Sequence, residues 1–353
     1  MATKPAPARP STSPPHRSVR LGFVALADCA PFVMAQELGL FGKYAVEVEL
    51  HREVGWATIR DKIIYGELDA AHAPAGLLMA ANCGLGSIQA DCVTGLILNL
   101  QGNAITLSQD LWKQGVRDGA SLRRVITQSS RLSTLGVVHL YSAHSCLLRM
   151  WLREHRIEPE RDVQIAVVPP AQVHANLRAG HLDGYCVGEP WNSLAVLSKT
   201  GWTVATSLDL APLHPEKVLM VRKEFAEMRE AEHLRVIAAL MEACAFCERP
   251  ENRERLVETL AQSKYVNAPI QALRMGLGGL YDFGHGRREK LPGLHIFSKH
   301  NANAPTPKRA AWVRNNLIQS GVVPDPAMLP SDRAAGCFRE DIFHQAKQLI
   351  TES

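Results

Sequence analysis

The chain has 353 residues, 46% of them hydrophobic, and a formal charge of +4 from 39 basic and 35 acidic side chains. That length can bury a sizeable core and favours two domains, while near-balanced charge with no dense Lys/Arg run disfavours direct nucleic-acid binding. No stretch of about 18 apolar residues occurs, so no membrane span is expected.

Met1 to Ser18 holds five prolines, small polar residues and a few cations. It lacks the apolar run of a signal peptide and reads as a disordered tail, which disfavours export. From Arg20 the pattern alternates strand and helix. Leu21 to Leu26 reads as a strand, Pro31 to Leu38 as a helix with Gly39 beyond its end, and Val46 to Leu50 as an alternating strand. A helix from about Trp56 to Tyr65, a strand from Asp69 to His72 and the apolar run Ile88 to Thr94 complete a first unit. Asn99 to Asn103 reads as a crossing loop freed by Gly102. A second unit follows, with strands at Leu135 to Val138 and Val163 to Val168 and helices at Ser145 to His155 and Pro170 to Ala179. The chain returns through Leu210 to His214, and from Lys223 it is mostly helical, with an exposed loop expected at Gly284 to Lys290.

Two stretches share an opening. Gly66-Glu-Leu-Asp69 and Gly180-His-Leu-Asp183 each follow a helix, make a turn and lead into a strand of small residues that ends near a proline. The repetition predicts two α/β lobes around a central ligand cleft and hinge. Residues 19–105 and 215–353 form lobe 1, and residues 106–214 form lobe 2.

The commonest enzyme signatures are absent: no Gly-x-x-x-x-Gly-Lys-Ser/Thr loop, Gly-x-Ser-x-Gly elbow, His-Glu-x-x-His helix or Gly-x-Gly-x-x-Gly after the first strand. Cys244-Ala-Phe-Cys247 has redox or zinc spacing, but it sits in a helical run without a second Cys/His pair and reads as two core thiols. The eight cysteines are scattered and read as reduced thiols in a cytoplasmic protein. The fourteen histidines read mostly as surface side chains, and His285, His295 and His300 lack the tight spacing of a metal set, so neither metal nor cofactor is expected.

Residues at element ends are the better candidates. Trp56 opens a helix, where free N–H groups form an anion site and an indole N–H adds a donor; a core Trp fits equally. His144 stands at another helix start with Ser142 as a cap, and its alternative is a capping histidine. Gln101 and Asn103 flank Gly102, where an amide can meet an anion or tie the lobes together. Gly188 lets a ligand approach the main chain or simply makes a turn. Lys217 precedes an apolar strand, where a solvated Lys is the commoner case.

Together these segments resemble the nitrate- and bicarbonate-binding branch of the type II solute-binding proteins, from about Arg20 to the C-terminus. The resemblance is carried by Asp28-Cys-Ala-Pro31, Gly55-Trp-Ala-Thr-Ile-Arg-Asp-Lys62, Leu68-Asp-Ala-Ala-His72, Gly102-Asn-Ala-Ile-Thr106, Asn176-Leu-Arg-Ala-Gly180, the Asp183 to Asn192 block and His214-Pro-Glu-Lys217. It implies lobes that close on a small anion, with ligand contacts at Trp56, Gln101, His144, Gly188 and Lys217. It also implies that a cation at Lys217 favours nitrate or nitrite without metal, since the bicarbonate-binding relatives look to use an acidic residue and a metal there. On this reading Lys217→Ala weakens anion binding and leaves the melting temperature nearly unchanged.

With no signal peptide read, the chain looks most like the cytoplasmic nitrate/nitrite sensors that hold an RNA-binding antitermination regulator inactive until the anion binds. The alternative is the solute-binding component of a nitrate ABC transporter. An enzyme on the same fold, similar to the pyrimidine-synthesising relatives that sacrifice a histidine and use a cysteine-rich motif, is disfavoured because no run of adjacent cysteines occurs.

Overall fold

The structure, a computed structural model, describes residues 17–351. The expected tail lies almost wholly outside the described residues. Its last two positions are tied down: Arg17 Nη2 lies 2.8 Å from Asp69 Oδ1, and Ser18 Oγ donates to Glu49 Oε1 at 2.6 Å.

Strands β1 (Val19–Val24), β2 (Val48–Glu53), β3 (Ala70–Pro74), β4 (Cys92–Val93) and β5 (Ile97–Gln101) precede Gly102. After it come β6 (Asn103–Ser108), β7 (Ser133–Val137), β8 (Val163–Val167), β9 (Gly184–Gly188) and β10 (Gly201–Thr206). The chain then returns through β11 (Pro215–Arg222), β12 (Leu280–Gly284), β13 (Arg287–Lys290) and β14 (His295–Ile296).

The first sheet runs β14-β5-β11-β3-β1-β2, with β4 beside β11, and the second runs β10-β6-β9-β7-β8. In each, three parallel strands meet a fourth, antiparallel one: β2-β1-β3 meets β11, and β8-β7-β9 meets β6. That fourth strand arrives from the other lobe in both cases, so the sheets are built to one plan and exchange a strand. The parallel strands are joined by helices, including Trp56–Ile64 in the first unit and Ala143–Glu154 and Pro170–Arg178 in the second, as crossover connections require.

The repeated Leu-Asp turns precede the third strand of each sheet. Gly66 (φ +73°) and Gly180 (φ +76°) take the left-handed conformation that ends the preceding helix. Asp69 accepts from Arg20 N at 2.9 Å and Asp183 from Thr134 N at 2.8 Å. Each carboxylate also holds an arginine, Arg17 and Arg20 in one lobe and Arg131 in the other. The repeated aspartates therefore pin the first strand of a lobe to its third.

Asn99 to Asn103 is not a loop. It is the end of β5 and the start of β6, broken only at Gly102 (φ +102°), so the first sheet gives way to the second three residues before the expected boundary at 105. Ser207 Oγ, on the second crossing, accepts from Gly102 N at 3.2 Å and Asn103 N at 3.3 Å. Gly284 to Lys290 is likewise a hairpin instead of a loop. That hairpin follows the return to lobe 1 yet packs on lobe 2. Tyr281 and Phe283 lie against Leu208, and Trp112 stacks on His285 with centroids 3.5 Å apart.

The later helices cover the first sheet. Glu230–Glu248 packs on Ala30–Glu37 and on Glu340–Thr351, and the core continues through Ile237, Leu240 and Cys244. A smaller core of Ile105, Leu107, Leu135, Val137 and Trp151 serves lobe 2. All eight cysteines are free thiols; Cys244 and Cys247 are buried in one helix, and burial raises both well above their usual range. Among the described residues no helix is long and apolar enough to cross a membrane.

Candidate functional site

The ends of β1, β3, β7 and β9 converge between the lobes, beside the two crossings. Asp28 lies in the short helical turn Ala27–Cys29 after β1, and His144 in the first turn of the helix after β7, so the two hold equivalent places in the two lobes. Ser142 caps the His144 helix by accepting from Ser145 N. Trp56 opens its helix behind Gly55, and Gly188 ends β9.

Lys217 is the centre of the cluster. Its Nζ lies 2.7 Å from Asp28 Oδ2 and 2.6 Å from Glu216 Oε1. The other oxygen of Asp28 lies 2.9 Å from His72 Nε2. The other oxygen of Glu216 accepts from Asn103 Nδ2 at 2.6 Å and lies 3.1 Å from His214 Nε2. His144 Nε2 stands 3.5 Å from Glu216 Oε1, and the Trp56 ring centroid is 5.4 Å from the lysine nitrogen. Glu216 and Lys217 are neighbours in a strand, where side chains ordinarily point to opposite faces. The register of β11 against β5 shifts on either side of Lys217, which accounts for both reaching one place.

The whole group is shut away from water: Lys217, Glu216, His72 and His144 are 0% exposed and Asp28 is 2% exposed. Burial pushes the carboxyl of Asp28 up, but Lys217 and His72 together hold it well below the usual range. Burial likewise raises Glu216, and Lys217, His144 and His214 more than offset it. Burial lowers Lys217, yet its two carboxylates carry it above its ordinary value. The buried imidazoles of His144 and His214 fall to about 4, mainly through desolvation. The cluster is therefore two carboxylates against one ammonium among neutral imidazoles.

Several polar atoms here have no hydrogen-bond partner among the described residues: Trp56 Nε1, both ring nitrogens of His144, His72 Nδ1, His214 Nδ1 and Asn103 Oδ1. Buried polar atoms are ordinarily satisfied, so a concentration of unsatisfied ones marks a place for a small polar ligand. An ammonium has three donors, and two of those on Lys217 have named partners. Among the described residues no group of three or more His, Cys, Asp or Glu side chains is arranged to hold a metal.

A profile of the NMT1-like family matches residues 12–261. This chain belongs to that family. The nitrate import ATP-binding protein NrtC of Synechocystis sp. (strain ATCC 27184 / PCC 6803 / Kazusa) is 38% identical over 310 residues, covering 87% of this chain and 46% of the relative. The bicarbonate transport ATP-binding protein CmpC of the same strain is also 38% identical, over 320 residues, 88% of this chain and 47% of the relative. The chain thus spans about half the length of these curated relatives. The crystal structure of the periplasmic nitrate-binding protein NrtA from Synechocystis PCC 6803 matches with a TM-score of 0.88 at 26% identity, covering 95% of this chain and 89% of that one. The two-lobed solute-binding fold expected from sequence is the fold observed.

Of the five sequence candidates in this NMT1-like chain, the structure brings Trp56, His144, Gly188 and Lys217 around the two carboxylates; a Cβ on Gly188 would lie 3.6 Å from Asp28 Oδ2. Gln101 stands apart in its bonding. Its Oε1 accepts from Leu213 N at 3.0 Å, which ties the first crossing to the second, and its Nε2 donates to Gly293 O, before β14, at 2.8 Å. Lys217 is buried, not solvated, and although most of the histidines were expected at the surface, His72, His139, His214, His233 and His295 are buried; His144 is buried at the helix start where a ligand or capping role was expected. Sequence reasoning gave no role to Asp28, His72, His214 or Glu216. The available signal was a lone ionisable residue in an apolar run at a strand end, as in Leu26-Ala-Asp28 and Ala70-Ala-His72-Ala-Pro74.

Proposed function

We propose that this chain is a non-enzymatic binding protein for a small oxyanion, nitrate or nitrite, held between its lobes. The observation that carries the reading is the set of unpartnered buried donors at Trp56 and His144 beside Lys217, at the junction of both lobes. Gly188 lets the main chain come close, and Gln101 acts from the hinge. The names of the similar proteins favour a planar oxyanion and leave nitrate and bicarbonate equally represented at 38% identity. Lys217 favours the ligand that needs no metal.

Magnitude favours an enclosed site. Nitrate has four heavy atoms, so at a ceiling of about 1.5 kcal/mol per atom it gains roughly 6 kcal/mol, while micromolar affinity needs about 8. Charge-assisted hydrogen bonds in a dehydrated cleft, about 1.5–3 kcal/mol each, supply the difference.

Within this reading the chain is a cytoplasmic sensor whose closure on the anion changes the surface offered to an RNA-binding antitermination regulator. The shift is limited to the anion's differential affinity for the open and closed states. The alternative, the solute-binding component of a nitrate ABC transporter, is favoured by the ATP-binding import proteins among the relatives. Capture of the regulator by the purified chain, with and without nitrate, separates the two. Anion-sensitive capture supports the sensor, and capture indifferent to nitrate and nitrite removes it. Saturating nitrate is expected to change tryptophan emission through Trp56, and the change should shrink in Trp56→Phe; an unchanged spectrum in the parent chain takes Trp56 out of the site.

A further inference from the structure

The anion reading leaves one problem of charge, and the following inference rests on that reading. Asp28 and Glu216 carry two negative charges against the single positive charge of Lys217, each carboxylate in contact with the ammonium and all three out of water. The other ionisable groups facing them are His72 on β3, His144 on its helix, His214 before β11, His295 on β14 and the thiols of Cys29, Cys146 and Cys186. Glu189, next to Gly188, is directed elsewhere: its carboxylate accepts from Tyr281 Oη at 2.8 Å and Ser193 N at 3.1 Å. A monoanion entering this cluster meets a surplus negative charge, and among the described residues none of the groups facing it is a second fixed cation. The cluster does hold a neutral imidazole with an open position for a proton: among the described residues neither ring nitrogen of His144 has a hydrogen-bond partner, and Nε2 faces Glu216 Oε1 at 3.5 Å.

We propose that Glu216 is a specificity-determining residue that makes the site take up one proton from solvent with each monoanion, the proton being held between His144 Nε2 and Glu216 Oε1. The balance is one anion and one proton in, with no bond in the ligand made or broken. Bound proton and bound anion cancel, so the cluster keeps the charge it had when empty. Burial keeps the proton affinity of His144 low, and a neighbouring anion raises it. Nitrate and nitrite affinity then depends on pH although neither ligand titrates in the neutral range.

The test is calorimetric titration of the full chain with sodium nitrate in two buffers of widely different ionisation enthalpy, such as Tris and HEPES, at matched pH. The dependence of the observed heat on the buffer counts the protons. The count is expected to be near one for the parent chain and near zero for Glu216→Gln, which removes the surplus charge. Affinity is expected to fall as pH rises in the parent, approaching tenfold per pH unit where the proton count is near one, and to stay flat in the variant. Asp28→Asn removes the same charge from the other side of Lys217 and is expected to behave alike, so the outcome does not hang on one variant folding. Nitrate heat that is independent of buffer and pH overturns the proton uptake while leaving the anion site standing. Absence of nitrate binding in every buffer sinks the anion reading itself and this inference with it.

Discussion

At the scale of single residues, the burial of Lys217 between two carboxylates decides what its removal does. The sequence expects Lys217→Ala to spare the fold, as a cleft lysine would. The structure predicts otherwise, because the substitution leaves Asp28 and Glu216 2.7 and 2.6 Å from where their shared cation stood, out of water and uncompensated. Breaking a buried pair from one side costs about 3–5 kcal/mol. Urea unfolding is expected to show a loss of that order, with part of it recovered when Asp28→Asn is added. An unchanged midpoint would mean that the lysine is not the partner of both acids. At the start of a helix or strand Trp56, His144 and Lys217 fit a core Trp, a capping histidine and a solvated Lys as well as a ligand contact, and as candidates they were legible mainly through the family resemblance. Their acidic partners were not, because pairing Asp28 with Lys217 joins positions 189 residues apart (217 − 28) that only the exchange of strands brings together.

At the scale of elements, the first crossing turns on a single glycine between two strands. A Cβ on Gly102 would meet the His295 ring at 2.5 Å, and its φ of +102° is strained for any L side chain. Gly102→Ala is expected to lower stability by roughly 1–3 kcal/mol, the usual cost of a residue held in such backbone. Equal unfolding midpoints for variant and parent would contradict it. The same crossing shows why some elements escaped the sequence. Asn99, Gln101 and Asn103 resemble loop composition, yet all three are buried in strands: Asn99 Nδ2 donates to Gln101 O of its own strand, while Gln101 Oε1 accepts from Leu213 N on the neighbouring crossing and Asn103 Nδ2 donates to Glu216 on β11. The hairpin of β12 and β13 was hidden differently. β13 is exposed along its whole length and carries Arg287, Arg288, Glu289 and Lys290, so no alternation betrays it. The left-handed Gly66 and Gly180, by contrast, stand where the sequence placed them, since a helix stop is a local event.

At the scale of the whole molecule, the buried imidazoles set the response to acid. His139, His144, His214, His233 and His295 are each lowered to about 4, principally by burial. In the unfolded chain a histidine binds its proton near its ordinary value of about 6.5. Between those limits the unfolded state holds more protons than the folded one, so stability falls as pH falls, by about 1.4 kcal/mol per pH unit for each histidine fully inside the window. The melting temperature is expected to drop steadily from neutral pH towards about pH 5, well before carboxylates such as Asp28 and Glu216 protonate in the unfolded chain. A flat profile over that range would show the imidazoles to be protonated in the fold. The two-lobed plan was the most legible property at this scale, because a repeated turn and alternating elements are written locally in each half, whereas the charge of the shared site is a property of neither half alone.

Recognition of a small oxyanion is tested most directly by calorimetric titration of the purified chain with nitrate, nitrite and bicarbonate, the last with and without calcium. The predicted result is saturable heat for nitrate or nitrite in the micromolar range without added metal. Binding of bicarbonate alone and only with calcium, or no heat with any of the three, would contradict it.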